Sequence, residues 1–396
     1  MNLSPTLDKA YTEERLSARE AQARAEWIAW APVVFQVSRL MVKLGILDLL
    51  RDSDEGMTIA EVAERTGLST YAVKVLMEAS LAIGTVLVRG EKDGERFMLA
   101  KTGWMLLTDA ATRVNMDFNH DVNYEGIFHL EAALKEGRPA GLKTFGDWPT
   151  IYEGLTSLPE AARRSWFAFD HFYSDGSFEE ALRIVFGEER GEISGGAGAR
   201  RRDGAKISGD AGARRREVRR LLDVGGNTGR WALQCVGYDK EVEVTVMDLP
   251  QQIALMRQQT EGQPGADRIE GFATDLLNRR NAFPTDKRYD AIWMSQFLDC
   301  FSEDEIQSIL ERASEIMDAE SRLYIMETLW DRQRYETAAF CLTMTSLYFT
   351  AMANGNSKMM NTDDLTRVIA EAGLEVETIH DGLGLGHSIV VCRKEK

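Results

Sequence analysis

Apolar positions fall at helical spacing through the first part of this chain, and from Val218 onward short aliphatic runs alternate with helical stretches. Ser4–Pro5 reads as an N-cap with proline at the first helical position, predicting a charged helix through Arg24. Trp27 to Leu50 carries Trp27, Trp30, Val34, Phe35, Leu40, Met41, Leu44 and Leu47 around most of a helix's circumference. A helix apolar on nearly every side needs more cover than a small domain offers, which predicts a subunit contact. Thr58 and Glu61 form a capping box for a short helix ending at Gly67, and Thr70 to Ile83 predicts a second helix after the turn at Leu68–Ser69. Thr85–Val88 and Arg96–Leu99, joined through Gly90 and Gly94, predict a hairpin.

Two helices and a hairpin make a winged helix-turn-helix pattern, so DNA has to be weighed as a partner. From Thr58 to Ala100 there are five Lys or Arg against six Asp or Glu. The helix that would read bases, Thr70 to Glu78, has Lys74 and mostly apolar residues. Phosphate contacts need net positive charge and base readout needs exposed Arg, Lys, Asn or Gln. The module therefore reads as a dimerisation domain, with no nucleic acid.

Asn115 to Phe186 is helical and rich in aromatics, among them Phe118, Tyr124, Trp148, Tyr152, Trp166, Phe169 and Tyr173. Its histidines are His120, His129 and His171. Any one of them reads as a satisfied core histidine; the sharper reading is a pocket for a flat apolar molecule, with His120, Asp121, Asn123 or His171 as polar contacts. Ile193 to Asp203 then recurs as Ile207 to Glu217, a Gly-, Ala- and Arg-rich duplication with little that could form a core. That composition predicts a disordered insertion.

Beyond it the predicted strands are Arg219–Val224, Glu243–Asp248, Arg268–Ala273, Tyr289–Met294, Arg322–Glu327, and a terminal pair near Leu374–Ile379 and Ser388–Cys392. The helix predicted at Glu305–Ala319 places Ile306, Ile309, Leu310, Ala313 and Ile316 on one face. This alternation predicts an α/β fold with a mainly parallel sheet covered on both faces.

Composition changes the picture little. With 396 residues, 44% hydrophobic and 28% charged, a core spread over two or three domains of ~150 residues is expected. A net charge of −16 argues against polyanionic partners. Cys235, Cys300, Cys341 and Cys392 lie apart, with no metal-ligand or disulfide spacing. Met1 to Arg24 is polar and charged, unlike a signal peptide, and Arg39 and Lys43 interrupt the most apolar early stretch, so no membrane partner and a cytoplasmic location are expected.

The chemistry starts at Leu221–Leu222–Asp223–Val224–Gly225–Gly226–Asn227–Thr228–Gly229–Arg230. A buried strand runs into a glycine turn and then a helix, so a ligand can lie against bare backbone amides. Val244–Asp248 is a second strand ending in a carboxylate, the position that faces a ribose in open α/β sheets. The spacing does not supply G-x-G-x-x-G. It resembles D-x-G-x-G-x-G, the first motif of class I S-adenosylmethionine (SAM) methyltransferases, with Asn227 in the middle glycine slot; Asn tolerates left-handed geometry best among non-glycine residues.

With the winged module, the aromatic linker and this motif together, the chain resembles the dimeric small-molecule O-methyltransferases: the plant caffeate and flavonoid type, hydroxyindole O-methyltransferase and bacterial polyketide-tailoring enzymes. The specific marks are Asp223–Arg230, Val246–Pro250, Leu298–Glu305 and Glu327 closing a strand. The resemblance implies a class I SAM-methyltransferase Rossmann-like sheet with an N-terminal α-helical winged-helix dimerisation domain. It divides the chain into a dimerisation domain at 1–112, a helical linker and substrate-pocket layer at 113–187, the insertion at 188–217 and a SAM-binding catalytic domain at 218–396. It implies SAM as cofactor, a small-molecule acceptor and a homodimer. The cofactor residues it implies are Asp223, Gly225, Gly226, Asn227, Gly229, Asp248, Leu249, Asp275, Leu276 and Ser295.

Catalysis departs from the family. Its usual L-H-D-W segment, whose His is the base, reads Leu298–Asp299–Cys300–Phe301 here, placing Asp299 in the His slot. Of the two carboxylates that flank that His, Glu327 matches one, and Ser357 stands in place of the other. A carboxylate of pKa near ~4 is a poor base for a phenol near ~10, compared with imidazole at ~6.5. Burial beside Glu327 would raise Asp299. Three outcomes stay open: an acceptor acidic enough to need little help, Asp299 or His120 as base, or loss of methylation in favour of other tailoring chemistry or of SAM sensing by a winged-helix regulator. The catalytic candidates are thus Asp299, Glu327 and His120, with no metal.

Overall fold

The computed structural model describes residues 3–90, 94–187 and 217–395. The duplicated Gly/Arg-rich stretch at 193–216, expected to be disordered, lies outside them. The chain forms two compact units. A helical unit comprises Tyr11–Glu125 and Thr156–Phe172; a sheet unit comprises Met1–Ala10, Gly126–Leu155 and Tyr173–Lys396.

In the helical unit the long apolar helix runs from Ala18 to Lys43. The single charged helix expected from Pro5 through Arg24 is instead two, because Ser17 and Glu20 form a capping box and Ser17 is extended (φ −65°, ψ 160°). A residue in that conformation starts a helix and cannot sit inside one. The apolar run to Leu50 is also broken, at Gly45, whose φ of 72° separates Lys43 from the next helix, Ile46–Arg51. Met41, Ile46, Leu47 and Leu50 pack with Val62, Val73, Met77, Val86 and Phe97 as the core of this unit. Trp27 and Trp30 remain 48% and 61% exposed. The capping box at Thr58 and Glu61, the helices Ile59–Thr66 and Thr70–Ile83, and the hairpin of β1 (Val86–Arg89) with β2 (Arg96–Leu99) form as expected.

The sheet unit is built on β3 (Arg220–Val224), β4 (Glu243–Asp248), β5 (Ile269–Ala273), β6 (Ala291–Ser295), β7 (Arg322–Glu327), β8 (Leu374–Leu383) and β9 (His387–Lys394). Their order is β5-β4-β3-β6-β7-β9-β8, with the first five parallel, β9 antiparallel to β7 and β8 antiparallel to β9. Both faces are buried, so neighbours along a strand serve opposite layers. Leu222, Ile292, Leu323 and Val390 face the helices Glu303–Glu315 and Thr362–Glu371; Leu221, Trp293, Tyr324 and Ile389 face Phe178–Phe186, Arg230–Tyr238 and Pro250–Thr260. Each such side chain contributes about 1.5–3 kcal/mol relative to exposure. The unit also takes in the first residues of the chain. The Ser4 amide donates to the Asp331 carbonyl and its hydroxyl to that of Gln333, both at 2.9 Å, and Leu7 is fully buried.

Strand order reverses between β3 and β6: β4 and β5 lie to one side of β3, and β6 and β7 to the other. In such sheets the crevice opens at the carboxyl ends of the strands at this switch point. Among the described residues no helix is long and apolar enough to cross a membrane.

Candidate functional site at the carboxyl edge of the sheet

The turn after β3 is shaped by what crowds it. Gly225 has φ 75°, and a Cβ there would stand 2.2 Å from the Phe297 ring; one at Gly226 would stand 2.5 Å from Asp223 Oδ2. Asn227 takes the left-handed conformation (φ 49°) and donates its amide to Asp248 Oδ2 at 2.9 Å. Asp248 Oδ1 accepts the Leu249 amide at 2.7 Å. Gly229, at φ 78°, starts the helix Arg230–Tyr238. Burial raises Asp248 above the ordinary carboxylate range despite those two amides, and burial together with Asp248 pushes Asp223 up to about 8.

Ser295 ends β6 half-buried, and Gln296 then turns left-handed (φ 45°). Asp275 is exposed just beyond β5 and accepts the Leu277 amide at 2.9 Å. The Leu276 side chain is buried in the core, while its carbonyl accepts from Arg312 at 2.8 Å.

Three buried polar atoms at this edge, Asp223 Oδ2, Asn227 Oδ1 and Gln296 Oε1, have no hydrogen-bond partner. Native folds keep few such atoms, and a group at the switch point is the common reason. A carboxylate has about four acceptor positions, so Asp248 keeps capacity for two ribose hydroxyls. The donor and acceptor set fits SAM.

Beside this crevice, β6 and β7 deliver the second half of the site. Glu327 ends β7, and its Oε1 accepts the amides of Phe297 at 3.1 Å and Leu298 at 2.9 Å. Those bonds hold the turn Leu298–Cys300 that carries Asp299, which is 5% exposed. The Cys300 thiol donates to Asp299 Oδ1 at 3.5 Å. Burial pushes Asp299 up to about 6; Glu327, buried and facing Asp299, is pushed well above its ordinary value. Glu327 Oε2 has no partner. Asn354 Nδ2 donates to the Cys300 carbonyl at 2.5 Å, and Asn354 Oδ1 accepts the Ser357 hydroxyl at 2.9 Å. Ser357 thus braces the turn through Asn354.

Asp299 and Glu327 are brought together. His120 belongs to the helical unit, on the π-turn Asn119–Asn123, with its Nδ1 2.8 Å from Asp121 Oδ1. Asp121 also accepts from Ser165 at 2.7 Å and pairs with Arg39 at 3.5 Å. Although burial works to raise it, these partners hold Asp121 below the usual carboxylate range. Tyr152, in the sequence only one aromatic among many, is a further resident of the Asp299 neighbourhood: its hydroxyl is buried with no conventional hydrogen-bond partner, the weakly interacting Cys300 thiol, Tyr348 and Asp299 being around it.

Residues 22–97 match the Dimerisation2-like domain and residues 213–375 match the O-methyltransferase domain. The chain belongs to the SAM-dependent O-methyltransferases. This methyltransferase is 26% identical over 379 residues to demethylspheroidene O-methyltransferase of Cereibacter sphaeroides, covering 93% of this chain and 86% of the relative. Its fold matches mitomycin 7-O-methyltransferase (TM-score 0.64, 19% identity, 94% of this chain and 98% of the other). It also matches human N-acetylserotonin methyltransferase in complex with SAM (TM-score 0.62, 16% identity, 98% and 99%).

Proposed function

We propose that this methyltransferase acts on a hydroxyl oxygen of an aromatic or polyketide-like small molecule, with Asp299 accepting the hydroxyl proton. The observation that carries the reading is the buried Asp299 at the carboxyl edge, held by the Glu327 clamp and lifted to about 6. A carboxylate with that value is ionised at neutral pH yet a better proton acceptor than a solvated aspartate. The aromatic rings of the sheet unit nearby, Tyr152, Phe297, Phe301 and Tyr348, support a flat acceptor. The three relatives, each named as a methyltransferase, support transfer to a small molecule.

Bound SAM supplies an activated methyl group with a neutral thioether as leaving group. For it, Asp248 serves the ribose hydroxyls, the Gly225–Gly229 turn offers backbone amides, and Ser295, Leu249 and Asp275 complete the edge. Glu327 fixes the Asp299 backbone, and Asp299 takes the acceptor's proton. With proton loss assisted this way, alignment of the acceptor accounts for much of the rate.

His120 is the second reading for the proton acceptor. Its Nδ1 lies 2.8 Å from Asp121 Oδ1, a contact that orients the ring. The exposed Trp27–Trp30 face supports a homodimer built on the winged-helix module, whose Lys74 is within 3.8 Å of Glu78 and has little to offer a phosphate. Four unpaired cysteines suit the cytoplasm. The test is transfer of radiolabelled methyl from SAM into a small-molecule extract of the source cells. One labelled, protein-dependent product supports the reading; SAM binding with no product overturns it. Asp299→Asn against His120→Ala then separates the two proton acceptors.

A further inference from the structure

Among the described residues, the Tyr152 hydroxyl is a buried polar atom near the carboxyl edge that has so far been given no work. The backbone under it is closely fixed. Tyr152 sits in the short helix Ile151–Gly154, with Ile151 fully buried; a Cβ at Gly146 or Gly154 would stand 2.5 Å from the Trp148 ring, so both glycines let that indole close over the segment. The phenol is thus aimed into the Asp299 neighbourhood by packing. Its oxygen is buried and makes no conventional hydrogen bond; the Cys300 thiol, a weak partner, lies against it. The groups around it are Cys300, Tyr348 and Asp299. Of these, the Cys300 thiol is already turned to Asp299. A phenol left with only a weak partner in such a place is costly, and phenylalanine would fill the same volume without that cost.

We propose that Tyr152 recognises the acceptor by donating a hydrogen bond to a second, uncharged oxygen that lies beside the hydroxyl whose proton Asp299 takes. This rests on the reading of Asp299 as proton acceptor. The two residues divide the work by chemistry: Asp299 can only accept once ionised, and Tyr152, kept protonated by burial, can donate. An acceptor matched to both carries a hydroxyl and a neighbouring carbonyl or ether oxygen on a flat ring system. A carboxylate as the second oxygen is disfavoured by the adjacent Asp299 and Glu327. Tyr152 is therefore a specificity-determining residue; its loss acts on recognition, whereas loss of Asp299 acts on proton removal.

The test uses the full chain loaded with S-adenosylhomocysteine and two probes that differ by one carbonyl, 1-hydroxy-2-acetonaphthone and 1-naphthol. Calorimetry on the wild type is expected to show the ketone bound about tenfold tighter, the worth of one hydrogen bond to a buried partner. Tyr152→Phe is expected to bring the two probes within about twofold of each other, with affinity for 1-naphthol and S-adenosylhomocysteine unchanged. In turnover, the ketone's KM rises while kcat holds, which a general structural defect would not produce. No ketone preference in the wild type, binding of neither probe, or a preference that survives in Tyr152→Phe each overturns the proposal. Should Tyr152→Phe lose S-adenosylhomocysteine binding, the residue is part of the fold and the proposal also falls. Labelled methyl transfer into extract without any ketone preference would remove Tyr152's role and leave methylation standing. A Tyr152-dependent preference without methyl transfer to any acceptor would do the reverse.

Discussion

Glu327 Oε1 accepts the amide of Leu298 at 2.9 Å, so a carboxylate on β7 sets the path of the backbone that leaves β6. Its role toward Asp299 is mechanical: it orders the turn that presents the neighbouring side chain. Glu327→Gln keeps a side-chain oxygen for both amides and should hold most of the stability and activity. Glu327→Ala leaves two buried amides unpaired at about 1–3 kcal/mol each and should lower kcat at least tenfold as the turn loosens. Urea denaturation and steady-state kinetics on the two variants check this.

Asp299 must be ionised to accept a proton, and burial places it at about 6. The kcat/KM for methyl transfer should therefore climb as pH rises through about 6 and then level off. Asp299→Asn should cost about 10²–10⁴ in kcat and abolish the climb. A pH–rate profile of the two proteins reads both.

Several carboxyls, among them Asp223, Asp299 and Glu327, are raised above their unfolded values by burial. For a raised carboxyl the folded state prefers the protonated form, so its contribution is full below the unfolded pKa and fades as pH rises through the folded one. Without SAM, the melting temperature should fall as pH rises from about 4 through about 8. Asp223→Asn, removing the group at about 8, should flatten the upper part of that fall. Thermal melts across the range decide it.

Two glycines on either side of the same helix start should behave oppositely. Gly225→Ala forces a methyl to 2.2 Å from the Phe297 ring at a positive φ, and loss of SAM binding or of folding is expected. Gly237 lies in the helix Arg230–Tyr238 with nothing within 4 Å of a would-be Cβ, so Gly237→Ala should stabilise by up to about 1 kcal/mol. SAM titration and chemical denaturation separate the two.

Asp248→Ala should weaken SAM binding about 10- to 100-fold, because it removes the proposed ribose acceptor and also the partner that holds the Asn227 amide. Isothermal titration with SAM gives the value, and unchanged affinity would sink the ribose assignment.

The strands were legible wherever burial on both faces leaves a continuous aliphatic run: Glu243–Asp248 and Arg322–Glu327 form with the ends read from sequence. Helix ends were less so. Ser17 and Glu20 make a capping box as good as the one read at Thr58 and Glu61, but inside an apparently unbroken charged stretch, and it divided that stretch. At the site, the Asp223–Gly229 turn and Asp248 could be read because a local motif carries their geometry. The work of Ser357 could not, since it acts through Asn354, whose own partner is the Cys300 carbonyl far along the chain. Nor could Tyr152 be told from its aromatic neighbours: its meaning comes from an absent conventional partner, which only tertiary placement shows.

The seating of Ser4 and Leu7 against the Asp331–Gln333 segment bears on how the chain is made. Ser4 and Leu7 belong to a unit whose other parts are made more than three hundred residues later, so they must wait, exposed, until those parts emerge. The core around Met41 and Phe97 has every one of its members early in the chain and can close long before. Closing the opening segment onto residues more than three hundred positions away is a late step with a large loop entropy. A bulky group placed directly ahead of Ser4 would therefore burden the completion of the methyltransferase unit while sparing the early-folding helices.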